Sequence, residues 1–423
     1  MAAQSMLRVH GTLRMPGDKS ISHRALMLAA LAPGTSQLRG LLLGDDVQST
    51  ARVLRALGVR IPILGAEVLV SGGGPFTTPS EWLDCGNSGT TARLMAGILA
   101  GQVVAATLSG DASLSRRPMR RIADPLRQLG ATIDFLRDGE HLPMRVHGGP
   151  LSDQSFELAT ASAQVKSAIL LAALVGGVAV RVREPSRSRD HTERMLRALG
   201  CSIREDPDGI VLSPGGALAA LDMEIPGDPS SAAYFVALGC LAGQGQIRVE
   251  GVSLNPTRTA FVDALRRMGG VIASTEAHAE FEPIGDLSVT APSGLQGTTL
   301  SGDEVPRLID EIPLLACVAA RAEGETVIRD AGELRVKESD RIAATVSNLR
   351  AVGADAQELA DGLVVVGSDR PLRGRVTTFG DHRIAMAFGV LGAVPGNAIT
   401  VDDLDCVRIS YPTFWIDLAR VID

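Results

Sequence analysis

Residues 17–32 read GDKSISHRALMLAALA, a polar head followed directly by an apolar tail. The pattern recurs at 227–239 as GDPSSAAYFVALG, and the two Gly-Asp pairs lie 210 positions apart. An apolar tail without a polar face is typical of a buried helix. Both copies share the Gly-Asp pair, a serine and the helix, so these features belong to the fold and predict two homologous halves. Only the first copy carries Lys19 and Arg24.

A second repeated signature is an amphipathic helix that ends in Leu-x-x-(apolar)-Gly, where the glycine suits the left-handed position past a helix end. Its copies are LRALG at 54–58, LRQLG at 126–130, LRALG at 196–200, LRRMG at 265–269 and LRAVG at 349–353, and FWIDLARVI near the chain end takes the sixth place. Buried helices are predicted before them at 23–31, 91–100, 165–175, 232–241, 312–321 and 384–391. Six units of about seventy residues follow, each with two helices and a few strands.

The expected fold class is therefore mixed α/β (α+β), with two similar domains of three units each. The boundary is predicted near Ile225–Pro226, so that one domain consists of residues 1–15 plus 226–423 and the other of residues 16–225. The strand-like stretch Leu7–Leu13 then joins the later half. Because a cleft between domains is the usual place for a ligand, we expect the active site in the interdomain cleft.

The composition excludes several classes of function. The 48 acidic residues exceed the 41 basic ones, and aromatic residues make up 3% of the chain, so nucleic-acid binding is not expected. Five scattered cysteines without a C-x-x-C motif suggest neither a metal site nor disulfides, and a reduced cytoplasm is the expected location. The N-terminus lacks the apolar core of a signal peptide, and the longest apolar run, 168–180, is too short to span a membrane.

Basic residues stand at the starts of several predicted helices. Lys19 and Arg24 follow the first Gly-Asp pair, Arg117 precedes Pro118, and Arg383 lies in GDHR. The segment RVKESDR adds Lys337, Glu338 and Arg341, with the last two spaced to share a helix face. Helix N-termini attract anions, and the arginine fork fits carboxylate and phosphate groups. The pattern therefore predicts small anionic ligands.

Each of these motifs also has a simpler interpretation. Ser20 and Ser22 are typical N-cap residues, and Lys19 and Arg24 taken alone could be solvated charges. RVKESDR could be a surface ladder of salt bridges, and SRRPMRR an exposed helix start. The aspartates of the helix heads recur even where no cation follows, so they are interpreted as residues of the fold. The coincidence of several cationic heads in one repeated architecture favours a ligand site.

The ordered set of motifs resembles the 5-enolpyruvylshikimate-3-phosphate synthase family over essentially the whole chain. The motifs are GDKSISHRAL, GNSGTTARLM, SRRPM, ASAQVKSA, SRDHTE, PGDPSSAA, IDEIP, RVKESDR and GDHRIAM. The resemblance implies two domains, each of three βαβαββ units around a pseudo-threefold axis (the inverse α/β barrel of enolpyruvyl transferases), that close on their substrates. It implies transfer of the enolpyruvyl group of phosphoenolpyruvate to the 5-hydroxyl of shikimate 3-phosphate. No metal or organic cofactor is implied, the partners are these two small molecules, and a monomer is expected.

The resemblance also implies roles for individual residues. The residues implied for phosphoenolpyruvate are Lys19, Asn87, Gly89, Arg117, Gln164, Arg341 and Arg383. Those implied for shikimate 3-phosphate are Lys19, Ser20, Arg24, Ser162, Gln164, Ser188, Arg189, Asp310 and Lys337. The reaction needs an acid that later serves as a base at C3 of phosphoenolpyruvate, and a base for the attacking hydroxyl. Glu338 with Lys19 is the candidate at C3 and Asp310 the candidate at the hydroxyl, with the exact division among the three left open.

Departures from the family pattern leave points open. Ile409 stands where many members have a lysine, and Arg408 is the candidate replacement. Gly89 is retained where some inhibitor-tolerant members have alanine, which leaves the response to glyphosate undecided. One rival is UDP-N-acetylglucosamine enolpyruvyl transferase, which typically has a cysteine where this chain has Ala112. The other rival, a non-catalytic phosphate-binding repeat protein, gains nothing from Asp310 and Glu338 beside its ligand.

Overall fold

The structure, a computed structural model, describes residues 6–216, 218–277 and 281–423. These residues divide into two compact units with boundaries at Pro16/Gly17 and Ile225/Pro226. We call them the middle unit (17–225) and the terminal unit, which holds both ends of the described chain.

The helices alternate between buried and amphipathic. They are α1 Lys19–Leu31, α2 Asp45–Ala56, α3 Gly89–Ala100, α4 Arg120–Leu129, α5 Ala163–Gly176, α6 His191–Ala198, α7 Pro229–Leu241, α8 Ala260–Arg267, α9 Val305–Leu308, α10 Ile312–Ala319, α11 Arg341–Ala351, α12 His382–Gly392 and α13 Phe414–Arg420. All six buried helices predicted from the sequence are present. Five begin two to four residues earlier than predicted, because their polar heads are themselves helical.

The strands are short. They are β1 Arg8–Val9, β2 Thr12–Arg14, β3 Gly34–Arg39, β4 Glu67–Gly72, β5 Leu83–Asp84, β6 Ala105–Ser109, β7 Thr132–Phe135, β8 Met144–His147, β9 Gln154–Glu157, β10 Val180–Arg183, β11 Ile203–Asp206, β12 Gly209–Leu212, β13 Asp222–Glu224, β14 Gln244–Ser253, β15 Val271–Ala277, β16 Ile284–Thr290, β17 Thr299–Leu300, β18 Glu325–Ile328, β19 Asp355–Leu359, β20 Gly362–Val366, β21 Arg373–Val376 and β22 Ala398–Val401.

One βαβαββ arrangement recurs within the described residues. Its full copies are β5-α3-β6-α4-β7-β8, β9-α5-β10-α6-β11-β12 and β17-α10-β18-α11-β19-β20, the last with the short α9 before α10. In each copy the first two strands are parallel and the last strand pairs antiparallel with both of its neighbours. Parallel neighbours need a crossover connection, which the buried helix supplies. In each copy the buried helix therefore connects the two parallel strands.

The beginning of the chain completes a sheet of the terminal unit. Strands β1 and β2 run parallel to β14, with Arg8 opposite Gln244 and Thr12 opposite Arg248. Leu7 and Leu13 are buried in the core of that unit. The middle unit is completed in the same way at its other end, where β13 runs parallel to β3.

The helix ends follow from local chemistry. The five glycines of the Leu-x-x-(apolar)-Gly signature have φ between 83° and 121°, which confirms the prediction of left-handed positions. At the start of α1 the cap is Asp18, whose carboxylate accepts a hydrogen bond from Ile21 N at 2.9 Å. The alternative that Ser20 or Ser22 caps this helix is therefore wrong, and Ser22 Oγ instead accepts from Leu42 N.

Two further findings concern the classes of function excluded above. In the described part of the chain, no helix is long and apolar enough to cross a membrane. The same residues contain no group of three or more His, Cys, Asp or Glu side chains placed to hold a metal ion.

Candidate active site

Lys19 and Ser20 open helix α1 in the middle unit. The Lys19 side chain is only 16% exposed, and its Nζ lies 3.1 Å from Oδ2 of Asp46, a buried residue of α2. The interpretation of Lys19 as a solvated charge is therefore wrong. Asp46 was missed by sequence reasoning, since an aspartate in the first turn of a helix is ordinary.

Arg24 lies one turn further along α1 and is 4% exposed. Its Nε donates to Thr192 Oγ1 at 2.7 Å, its Nη2 to Ser167 Oγ at 2.8 Å, and its Nη1 to the carbonyl of Ser20 at 2.9 Å. Thr192 in turn donates to Ser167 at 2.8 Å, which closes a triangle. These three contacts are to neutral oxygens, and they orient the guanidinium. Thr192 and Ser167 were missed, because they are distant from Arg24 in sequence.

The head of α3 brings several predicted residues together. Asn87 Oδ1 accepts from Arg117 Nη2 at 2.6 Å, and Arg117 is 6% exposed. Gln164 of α5 accepts at Oε1 from Arg93 Nη1 at 2.6 Å. A Cβ at Gly89 would lie 3.0 Å from Arg93 Nη1 and 3.3 Å from Arg117 Nη1, so both guanidinium groups approach this glycine. Sequence reasoning missed Arg93, which stands inside an otherwise apolar helix.

The remaining predicted residues of the middle unit lie on the heads of α5 and α6. Ser162 is the N-cap of α5, with its Oγ accepting from Val165 N at 3.5 Å. Ser188, in the connection between β10 and α6, is 4% exposed and donates from Oγ to Glu184 Oε1 at 2.6 Å. Arg189 follows it and is partly buried.

Arg341 is the centre of the polar cluster in the terminal unit. It is 1% exposed and is the first residue of α11. Its guanidinium donates to Asp381 Oδ2 at 2.8 Å, to Asp310 Oδ1 at 3.0 Å and to Glu338 Oε2 at 2.6 Å. RVKESDR is therefore not a surface ladder. Glu338 also precedes the helix rather than sharing its face, because α11 begins only at Arg341.

Asp310 joins the cations of this cluster. Besides Arg341, its carboxylate lies 3.8 Å from Lys337 Nζ and 3.6 Å from Arg383 Nη2, and its carbonyl accepts from Arg383 Nη1 at 3.2 Å. Arg383 is the second residue of α12 and also lies 3.5 Å from the buried Glu311. The structure thus brings together all five residues predicted in this unit.

The charges of the cluster respond to burial and to one another. Burial disfavours the charged form of Arg341, but the Asp381 and Glu338 carboxylates outweigh it and raise its pKa. Burial also disfavours the charged form of Arg383, but nearby negative charge, above all that of Asp310, raises its pKa. Burial lowers the pKa of Lys337, although Asp310 and Glu333 oppose the shift. Asp381 caps α12 and also binds Arg341, so its interpretation as a residue of the fold alone is incomplete.

Arg408 lies on a short 3₁₀ turn, Asp405–Ile409, near the chain end and is exposed. Its replacement of the family lysine stays a prediction.

Comparisons with known proteins agree on one family. The family model for EPSP synthase (3-phosphoshikimate 1-carboxyvinyltransferase) matches residues 3–418. A 3-phosphoshikimate 1-carboxyvinyltransferase of Bacillus cytotoxicus is 44% identical over 416 residues, covering 98% of each chain. That of Bacillus subtilis is 43% identical over 426 residues, covering all of this chain and 99% of its own. The solved EPSP synthase of Acinetobacter baumannii has a TM-score of 0.86 and 39% identity, covering 99% of this chain and 98% of its own. The solved structures confirm the two-domain α/β fold class.

Proposed function

Because the chain belongs to the EPSP synthase family, we propose that it transfers the enolpyruvyl group of phosphoenolpyruvate to the 5-hydroxyl of shikimate 3-phosphate and releases phosphate. The observation that carries the proposal is the placement of Asp310 and Glu338 on one buried guanidinium, Arg341, beside Lys337 and Arg383. A site that only bound anions would be weakened by carboxylates. A site that also moves protons can use them as its general acid and base.

Phosphoenolpyruvate carries a carboxylate and a phosphate, so its binding needs several cations. We assign this role to Lys19, Arg117, Arg341 and Arg383. Asn87, Gly89 and Gln164 are placed around Arg117 and Arg93 and belong to the same set. Lys19 and Arg117 belong to the middle unit, and Arg341 and Arg383 to the terminal unit.

Shikimate 3-phosphate is assigned to the other polar helix heads. Arg24 offers a buried guanidinium for an anionic group of this ligand, and its contacts with Thr192 and Ser167 orient it. The remaining proposed contacts are Lys19, Ser20, Ser162, Gln164, Ser188, Arg189, Asp310 and Lys337.

The proposed chemistry has two steps. In the first, the 5-hydroxyl oxygen of shikimate 3-phosphate bonds to C2 of phosphoenolpyruvate while Asp310 accepts the hydroxyl proton. Glu338 with Lys19 delivers a proton to C3 in the same step. In the second, the C–O bond to phosphate breaks and the same group removes a proton from C3. The guanidinium groups of Arg341 and Arg383, held by their carboxylate partners, stabilise the negative charge of the departing phosphate.

A phosphate-release assay tests the function. Release that requires both phosphoenolpyruvate and shikimate 3-phosphate supports it, whereas tight binding of both without release would favour a binding protein. Release with UDP-N-acetylglucosamine instead would favour the sister enzyme. Ala112 speaks against that enzyme, as does the state of the cysteines: all five are buried, and burial raises the pKa of each thiol.

The assignment at C3 has its own test. Glu338→Gln keeps the size of the side chain but removes its ability to exchange a proton. We expect exchange of the C3 protons of phosphoenolpyruvate with solvent deuterium to fall by at least about a hundredfold, the lower end of what a general acid–base group contributes. Exchange at the wild-type rate would remove Glu338 from this role.

We also propose that the enzyme works as a monomer in the cytoplasm, without a metal ion or organic cofactor. Undiminished phosphate release after exhaustive treatment with a chelator, together with a monomeric mass by light scattering, would support this. Activity restored only by an added metal would contradict it.

A further inference from the structure

Lys166 of α5 is a buried cation between two carboxylates. Its side chain is 1% exposed, and its Nζ lies 2.7 Å from Glu184 Oε2 and 2.7 Å from Glu193 Oε1. The two glutamate side chains are 6% and 4% exposed. Burying such a cluster is costly, and an apolar replacement is often as stable, so its presence calls for a role other than stability.

Glu184 connects this cluster to Ser188. Its Oε1 accepts from Ser188 Oγ at 2.6 Å, and its Oε2 accepts from Ser188 N at 3.4 Å. The connection from Glu184 to Asp190 borders a cavity of about 450 Å³, lined also by Pro185, Ser186 and Arg187. Glu184 therefore holds both the hydroxyl and the amide of Ser188 in this connection.

Glu193 connects the same lysine to Arg24. The Lys166–Glu193 ion pair joins α5 to α6, and the next residue pair along the two helices is Ser167 and Thr192, whose hydroxyls are 2.8 Å apart. Thr192 accepts the hydrogen bond from Arg24 Nε. Lys166 is therefore linked to two groups, Ser188 and Arg24, that are proposed to bind shikimate 3-phosphate.

We propose that Lys166, acting mainly through Glu184 and secondarily through Glu193, is a positioning residue for the binding of shikimate 3-phosphate, an inference that rests on the proposed function. Ser188 has one hydroxyl hydrogen, which it donates in a hydrogen bond to Glu184 when no ligand is bound. Because Lys166 offsets the charge of Glu184, an incoming anionic group of the ligand can accept this hydrogen bond in place of Glu184. Without Lys166, the Ser188 hydroxyl stays bonded to Glu184, whose uncompensated negative charge opposes binding of the anion.

The test compares a double variant that has the same net charge as the wild type with a single variant. K166M/E193Q removes one cation and one carboxylate together, so the net charge of the cluster is kept, whereas E193Q alone leaves the Lys166–Glu184 pair intact. We expect K166M/E193Q to raise KM for shikimate 3-phosphate about tenfold or more, the effect of one charge-assisted hydrogen bond. Its kcat and its KM for phosphoenolpyruvate should stay within about twofold of wild type, and E193Q should change KM for shikimate 3-phosphate less than about threefold.

Two controls separate positioning from general damage. S188A combined with K166M/E193Q should raise KM by less than the product of the separate effects, because the lysine acts partly through that serine. V180A, a cavity variant in β10, should lower thermal stability without changing either KM. The proposal would be overturned if the effects of S188A and K166M/E193Q on KM for shikimate 3-phosphate simply multiplied. It would also be overturned if K166M/E193Q raised both KM values equally, raised neither, or failed to fold.

Titration calorimetry with shikimate 3-phosphate alone distinguishes failure of the proposed function from failure of the proposed role of Lys166. A wild-type protein that binds this ligand but releases no phosphate would contradict the proposed function. An active wild type with unchanged ligand affinity in K166M/E193Q would contradict the role of Lys166.

Discussion

At the scale of single residues, the polar side chains suggested by the sequence are found in buried, oriented positions, but their partners were not predictable. Arg341 and Arg383 could be identified because cations at helix starts are unusual in an acidic chain. Thr192 and Ser167 could not be identified as partners of Arg24, because they meet it only through the packing of three helices. The available signal was weak: polar residues interrupt the apolar run of α5 at Lys166 and Ser167.

Two glycines of α3 lead to opposite predictions. In Gly89→Ala the new methyl group would meet the tips of Arg93 and Arg117, which can move, so folding should be kept while their geometry is disturbed. We expect KM for phosphoenolpyruvate to rise about tenfold, equivalent to about 1.4 kcal/mol. KM for shikimate 3-phosphate should change little, and steady-state kinetics with each substrate varied in turn measures both.

Gly97→Ala is the matched control on the same helix. Its Cβ would lie 2.3 Å from the carbonyl oxygen of Ala168, and this backbone of α5 cannot move aside cheaply. We expect the free energy of unfolding to fall by about 1–3 kcal/mol, with both KM values near wild type in the folded fraction. If Gly89→Ala lost stability instead and kept its KM, the placement of Gly89 beside the ligand would be wrong.

Lys337 predicts a pH dependence. Burial lowers its pKa below the ordinary value for lysine of about 10.4, against the opposing effect of Asp310 and Glu333. The ammonium is therefore lost, and kcat/KM for shikimate 3-phosphate should fall, as the pH rises through this lowered value. In Lys337→Arg the guanidinium stays charged, so the alkaline fall should move to higher pH. Profiles of kcat/KM for both enzymes measure this, and superimposable profiles would assign the fall to another group.

The same shift has a consequence for stability with a definite sign. The folded protein holds the Lys337 proton less tightly than the unfolded chain does. The lysine therefore lowers stability at neutral pH, and this cost disappears as the pH rises from the lowered pKa toward the ordinary one.

At the scale of elements, the repeated sequence pattern predicted the six buried helices and the glycines that end the amphipathic ones. The buried helices were predictable because an apolar segment with a defined end leaves few alternatives. The helix starts were placed too late, since Lys19 and Ser20 read as a polar loop until Asp18 is seen to cap the turn that contains them. The short strands, some of two residues, could be placed only approximately, because pairing with a neighbour defines them more than local sequence does.

Strand β2 leads to a prediction about the first part of the chain. Leu13 is 3% exposed and lies in the core of the terminal unit, whereas the neighbouring Arg14 has a side chain that is 83% exposed. Leu13→Ala should reduce the free energy of unfolding by about 2–5 kcal/mol. Arg14→Ala should change it by less than about 0.5 kcal/mol. Denaturant unfolding of both variants is the measurement, and equal stabilities would show that β2 does not hold the sheet.

At the scale of the whole molecule, both ends of the described chain meet in the terminal unit. Val9 and Ile422 form an antiparallel bridge, and the Asp423 amide donates to the Arg8 carbonyl at 3.3 Å. On either side of the Ile225–Pro226 boundary the backbone bonds stay within their own units: Ile225 N donates to Arg39 O, and Gly227 N to Gly251 O. The chain thus crosses between the units at 16/17 and at 225/226, and the two backbone bonds beside the second crossing each lie within one unit.

A circular permutant tests this organisation. Joining Asp423 to residue 6 through a short Gly-Ser linker, with new ends between Ile225 and Pro226, makes each unit continuous in sequence. We expect it to fold with native circular dichroism and a melting temperature within about 5 °C of wild type, since breaking this connection should cost no more than about 1–2 kcal/mol. Opening the chain inside the buried α1, between Leu28 and Ala29, is the control that should not fold. If the permutant at 225/226 also lost the unfolding transition of either unit, the second crossing would be part of the core rather than a connection.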